Sequence, residues 1–176
     1  VRVGTGASEF WIDRYEAVVT EGDRGGSRYG SDGASGPDFP SAFPPNGQWT
    51  MARWALSFSG VLPTRWITWF QANAACHASG KRLPTGEEWL EAARRTPDPR
   101  EPYGGTGGDC LTSSPGGVPR ATGRASSTPS TRWGQCVSAW GAEDMIGNLW
   151  EWTAEWSSSQ LIGTTGDPMG TWEDQG

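Results

Sequence analysis

Apolar positions in this chain come in short aromatic bursts separated by long polar, Gly-rich stretches. The first burst, Glu9-Phe-Trp-Ile-Asp-Arg-Tyr-Glu-Ala-Val-Val, is aromatic and β-branched and predicts a strand over residues 9–20 that ends at Thr20-Glu-Gly. Residues 21–48 are rich in Gly, Ser, Pro and Asp and predict an irregular surface excursion. Aromatic character returns from Trp49 to Phe58, and Gly60 and Pro63 then punctuate the chain. Residues 97–132 are again poor in aliphatics, and the aromatics resume at Trp133, Trp140, Trp150, Trp152 and Trp156. The run from Ser157 to Gly176 is polar and Gly-rich.

Between these bursts lie two helix signals. Thr68 with Gln71 three residues on has the capping-box pattern, and Gly80 supplies a stop after Ser79. Thr85 with Glu88 repeats the pattern after Pro84, and Arg94-Arg95 would sit near the negative end of that second helix before Pro97 blocks it. Cys76 falls among alanines on the first helix, where a small buried apolar residue is expected. The lone histidine, His77, lies near the helix end and reads as solvated.

Composition changes this picture in one respect. With 35% hydrophobic residues, 26 Gly and 13 Pro, the 176-residue chain looks marginal for a core, but 12 Trp argue against disorder. A single loop-rich domain over 1–176 with an indole-built core follows. The net charge of −6 disfavours nucleic acid as a partner. No apolar run approaches the roughly 20 residues of a membrane span. The opening Val1-Arg-Val-Gly does not read as a signal peptide, so a mature or trimmed piece is expected and the compartment stays open between cell surface, secretion and elsewhere.

Candidate chemistry is sparse. Cys110 and Cys136 flank a stretch that cannot pack itself, and a disulfide between them would restrain it. Asp144, Asn148 and Glu151 offer the hard oxygens that calcium prefers, with main-chain carbonyls of Gly147 and Leu149 nearby; the same residues are also ordinary turn formers. Arg82 at the helix junction reads either as an anion clamp or, preferably, as a structural ion pair or cap partner. One histidine cannot build a multi-His metal site or support a serine triad, the Gly-rich segments lack a phosphate-loop context, and no Cys-x-x-Cys is present.

Three segments together resemble the formylglycine-generating enzyme family, also called sulfatase-modifying-factor domains. They are Trp11-Ile-Asp-Arg-Tyr-Glu16, Gly80-Lys-Arg-Leu-Pro-Thr-Gly-Glu-Glu-Trp89 and Asp144-Met-Ile-Gly-Asn-Leu-Trp-Glu-Trp152, in the family's order. The resemblance implies an α+β, C-type-lectin-like fold with two helices flanking small, twisted antiparallel sheets. Within these segments Arg82, Trp89, Asn148, Trp150 and Trp152 read by residue type as structural. The resemblance also implies a structural calcium site made by the side chains of Asp144 and Glu151 and the carbonyls of Gly147 and Leu149.

The family's oxidising members hold copper with a cysteine pair beyond the third segment, near an Arg-Gly-Gly-Ser run, and end on a Gly-Phe-Arg strand. Another branch makes sulfur–carbon bonds on iron held by several histidines. Neither set is present here, since Cys76, Cys110 and Cys136 all precede Trp156 and nothing after it matches. The expectation is therefore a non-catalytic module that binds or displays a protein or small-molecule ligand, as in the retroelement-diversified variable proteins of this fold. The alternative is a copper-dependent formylglycine-generating oxidase whose catalytic tail lies outside this sequence. Because the family's last strands are missing, either another chain completes the sheet, or the sequence is a fragment or carries an unseen break.

Overall fold

The computed structural model describes residues 1–23, 25–29, 52–96, 110–111, 121–123 and 136–155. The predicted excursion beyond Tyr29, the start of the second aromatic burst, most of 97–132 including its Pro-rich part, Trp133, and everything from Trp156 onward lie outside these residues.

The elements run β1 (Arg2–Val3), a 3-10 turn (Gly6–Ser8), β2 (Phe10–Trp11), β3 (Val18–Gly22), β4 (Gly25–Tyr29), β5 (Trp54–Leu56), α1 (Trp69–Ala78) and α2 (Gly86–Ala92). Two small antiparallel sheets result. One pairs β1 with β2, and the other has the order β4-β3-β5 with β3 in the middle. The single strand expected over 9–20 is thus two strands in two different sheets. The intervening Ile12–Ala17 stretch leaves the ladder, and its polar side chains turn to other work. The Gly-rich residues 25–29, expected to be irregular, pair as β4 instead. Main-chain hydrogen bonds to β3 need no apolar side chain, and Gly26 adopts φ 124°, a conformation that favours glycine.

Both helices start as the capping boxes predict. Thr68 accepts from Gln71 N while Gln71 accepts from Thr68 N, and Thr85 and Glu88 exchange the same pair of bonds. The second helix is shorter than expected, ending at Ala92 with Ala93 as its cap, so Arg94 and Arg95 lie just past its last turn.

Each helix covers one sheet. Ala75 of α1 packs with Val19, Tyr29 and Ala55, joined by Ile67 and the half-buried Cys76. Ala92 of α2 packs with Val3, Ala142 and Met145, joined by Phe10, Ile12, Trp89 and Trp140. Small residues at the helix faces let the backbones approach closely. In the first core the buried Thr64 hydroxyl donates to Tyr29 O (2.6 Å) and accepts from Val19 N (2.7 Å), so the sheet's margin is tied without an apolar contact. His77 is exposed on α1. Among the described residues, no helix is long and apolar enough to cross a membrane.

Candidate functional site

The segment Ile12–Ala17, the α1–α2 junction and the segment after Cys136 converge on one cleft. At the junction, Lys81 Nζ donates to both oxygens of Asp13 (3.0 and 2.8 Å) and to Ala55 O (2.9 Å). All three ammonium donors are therefore used, and the first segment is fastened to β5. Arg82 takes a structural place. It forks onto Glu88, with Nη1 and Nη2 each 2.6 Å from a carboxylate oxygen, and Nη1 also reaches Leu83 O. That pairing holds the Glu88 carboxyl down to about 2, chiefly through the Arg82 hydrogen bonds.

Indole N–H groups cross-tie the pieces. Trp152 Nε1 donates to Ile67 O (2.8 Å), Trp69 Nε1 to Thr153 O (2.8 Å), and Trp140 Nε1 to Glu91 O (2.9 Å). Trp89 Nε1 donates to Glu151 Oε2. Each indole finds an acceptor on another segment, so the four bonds fix the relative placement of the two helices and the third segment.

The third segment has an irregular backbone. Asp144 (φ 60°), Gly147 (φ 81°) and Asn148 (φ 62°) are in the left-handed region, which Asp and Asn tolerate better than other side chains. Cys110 and Cys136 are joined in a disulfide with Cα atoms 4.7 Å apart. Both ends of the bridge anchor the segment, because Asp144 N donates to Cys136 O (2.9 Å) and Asn148 N to the O of Leu111, the residue after Cys110 (2.8 Å).

Trp150 departs from expectation. It was expected to pack as a structural residue, yet it is 93% exposed, while Trp152 is partly buried. With no regular backbone there is no period to carry both indoles inward. Trp152 follows the Ile67 carbonyl, and Trp150 is left on the wall of the cleft.

Glu16 is the residue that the sequence reading missed. One of its oxygens accepts from Leu149 N (3.0 Å), and the other accepts from the Asn148 side-chain amide. Protein crowds it on most sides, and this desolvation raises its carboxyl well above the usual range, with the charges of Glu151 and Asp144 adding to the rise. Glu151 behaves alike: burial pushes it up to about 7, and Asp144 contributes while the Trp89 indole opposes. Asp144 and Glu151 are thus brought within electrostatic reach of each other and of Glu16. Among the described residues, no three His, Cys, Asp or Glu side chains are arranged as a metal site. The signal for Glu16 was available, since it is an acid closing an otherwise aromatic segment.

A second missed pair is Arg14 with Glu143, 129 positions apart, joined by Arg14 Nε and Nη2 to the same oxygen, each at 3.2 Å. The cleft itself has a volume of about 990 Å³ and is lined by all three segments, including Arg14, Glu16, Lys81, Trp89, Trp150 and Glu151. That is the size range of small-molecule sites.

Comparison with known proteins bears on this arrangement. Hercynine oxygenase of Mycolicibacterium smegmatis is 31% identical over 119 residues, covering 65% of this chain and 27% of that protein. Hercynine oxygenases of Mycobacterium tuberculosis and Mycolicibacterium thermoresistibile are each 33% identical, over 104 and 105 residues, covering 52% of this chain and 21% and 20% of theirs. The chain therefore spans only about a fifth to a quarter of the length of these relatives. No solved structure gives a significant match. The sulfatase-modifying factor enzyme 1-like domain matches residues 7–169, which takes in all three segments and both helices, and the chain belongs to that C-type-lectin-like family.

Proposed function

We propose that this chain is the ligand-binding domain of an oxygenase related to the hercynine oxygenases, and that it holds the ligand without supplying the redox centre. The observation that carries this reading is the cleft where the three segments meet, with an exposed Trp150 on its wall and the carboxylates of Glu16 and Glu151 beside it. Hercynine is the trimethylammonium betaine of histidine. A fixed cation is attracted to the face of an indole and to carboxylates held in a desolvated setting. The similarity to the hercynine oxygenases supports the choice of substrate class. No copper role is assigned. Cys110 and Cys136 are consumed in their disulfide and Cys76 stands on α1, so the three cysteines do not form the pair that the oxidising members use.

The same reading includes a structural calcium ion at the rim of the cleft. Asp144 and Glu151 would give side-chain oxygens, and Gly147 and Leu149 main-chain carbonyls. The fit rests on charge: none of the effects acting on Glu16 or Glu151 comes from a lysine or arginine, Glu16 is raised by the charges of Glu151 and Asp144, and Glu151 by that of Asp144. A divalent cation would remove that repulsion and take the oxygens that calcium prefers.

Titration calorimetry of the chain with hercynine tests the ligand reading. Saturable binding that is lost in Trp150→Ala is expected. Absence of saturable heat, or binding unchanged in Trp150→Ala, overturns it.

A further inference from the structure

Arg14 and Glu143 are not needed by the tryptophan-and-carboxylate wall of the cleft, and their geometry is unusual. The Glu143 side chain is 2% exposed, while that of Arg14 is 51% exposed. Arg14 places Nε and Nη2 on a single oxygen, Glu143 Oε1, and does not fork across both. Glu143 Oε2 is buried with no hydrogen-bond partner. Arg14 is held at three points, one on its main chain and two on its guanidinium. Its own carbonyl accepts from Glu143 N (2.8 Å), its side chain meets Glu143 Oε1, and its Cζ lies 5.5 Å from the Tyr15 ring centroid. Glu143 is in turn fixed by its bridge to Val137, next to the disulfide-bonded Cys136.

The other two cationic side chains of the cleft are saturated. Lys81 spends its donors on Asp13 and Ala55 O, and Arg82 is forked onto Glu88. Among the described residues, Arg14 is the cation on the cleft wall whose Nη1 edge carries no partner, and it is pre-oriented by a buried counter-ion. An arginine held along one edge and open along the other is suited to take a carboxylate through paired N–H donors.

We infer that Arg14 is the anion contact of the cleft: it receives the carboxylate of a betaine or amino-acid-like ligand, with Glu143 as the residue that positions it. The site is then amphoteric, with Arg14 for the carboxylate and Trp150, Glu16 and Glu151 for the cationic end. This assignment rests on the ligand-binding reading of the same cleft and adds the anionic half of the ligand to it.

Two measurements separate the assignment from that reading. The first is calorimetry with hercynine on the wild type, on Arg14→Gln, and on the double variant Arg14→Gln/Glu143→Gln, which leaves no buried carboxylate unpaired should the single variant unfold. Loss of an arginine–carboxylate pair weakens binding on the order of tenfold to a hundredfold. The second is protection of Arg14 from phenylglyoxal, read by peptide mass spectrometry, with glycine betaine and choline as probes that share the trimethylammonium group and differ in the carboxylate. Protection by glycine betaine and not by choline is expected. Should hercynine bind the wild type and both variants equally, with Arg14 labelled alike under every probe, the Arg14 assignment falls and the ligand reading stands. Should hercynine fail to bind while glycine betaine still shields Arg14, the ligand reading falls and the anion contact stands. Equal labelling together with no hercynine binding removes both.

Discussion

The α1–α2 junction and the segment Asp144–Trp152 are both charged, aromatic and close to the cleft, and they are built on opposite principles. At the junction every cation has its acceptors: Lys81 is spent on Asp13 and Ala55 O, and Arg82 on Glu88 and Leu83 O. The Glu88 carboxyl is consequently held low. In the later segment burial and the charge of Asp144 raise Glu151 to about 7, and an indole stands in solvent. A satisfied network supports a frame. Desolvated carboxylates that repel one another cost stability, and such a cost persists in a fold where a ligand or ion offsets it.

Two tryptophans two residues apart give the widest separation between these principles. Trp152→Ala removes a partly buried indole and its bond to Ile67 O, and should cost about 3 kcal/mol in chemical denaturation. Trp150→Ala, at 93% exposure, should change stability by less than about 0.5 kcal/mol. Equal losses in the two variants would mean that Trp150 belongs to the frame.

Calcium tests whether the later segment is completed from outside. At a hundredfold excess over its dissociation constant, an ion bound only by the folded chain adds about 2.7 kcal/mol. The calorimetric unfolding midpoint should rise with calcium, fall with chelator, and lose this response in Glu151→Gln. A midpoint indifferent to calcium in the wild type would leave the repulsion among Glu16, Asp144 and Glu151 without an ionic remedy.

Lys81→Met probes the junction from within. It removes three donors and leaves Asp13 without its cation, yet both side chains keep about a third of their exposure (33% and 35%), so water recovers part of the loss. We expect about 1–2 kcal/mol of destabilisation. No part of that loss should depend on calcium. A calcium-dependent loss would show that the two regions are coupled.

What the sequence disclosed follows the range of each interaction. Both helix starts were legible because a capping box is written within four residues, Thr68 to Gln71 and Thr85 to Glu88. The strand over 9–20 was misjudged because apolar content does not reveal which partner a strand will have, and Phe10–Trp11 pairs with β1 while Val18–Gly22 pairs with β4 and β5. Glu16 and Asn148 meet across 132 positions, and Arg14 and Glu143 across 129, with no local pattern to announce either. Trp150 was assigned to the core by residue type alone, and type does not set direction where the backbone has no period.

The smallest expected effect comes from acid. Glu88 ionises at about 2 in the folded chain, against an ordinary 4.5, so folding favours its charged form. A depressed carboxyl contributes fully above pH 4.5 and loses that contribution as the pH falls from 4.5 toward 2. The pair is exposed, 58% for Arg82 and 20% for Glu88, so solvent screening reduces its worth to about 0.5–1 kcal/mol. Arg82→Gln removes the cation and leaves the capping bonds between Glu88 and Thr85 in place. Urea denaturation of both proteins from neutral pH downward should show a constant small deficit in the variant that shrinks below pH 4.5, as protonation takes from the wild type what the substitution already took. A deficit that holds its size to the lowest pH would mean that Arg82 acts through its bond to Leu83 O and not through charge.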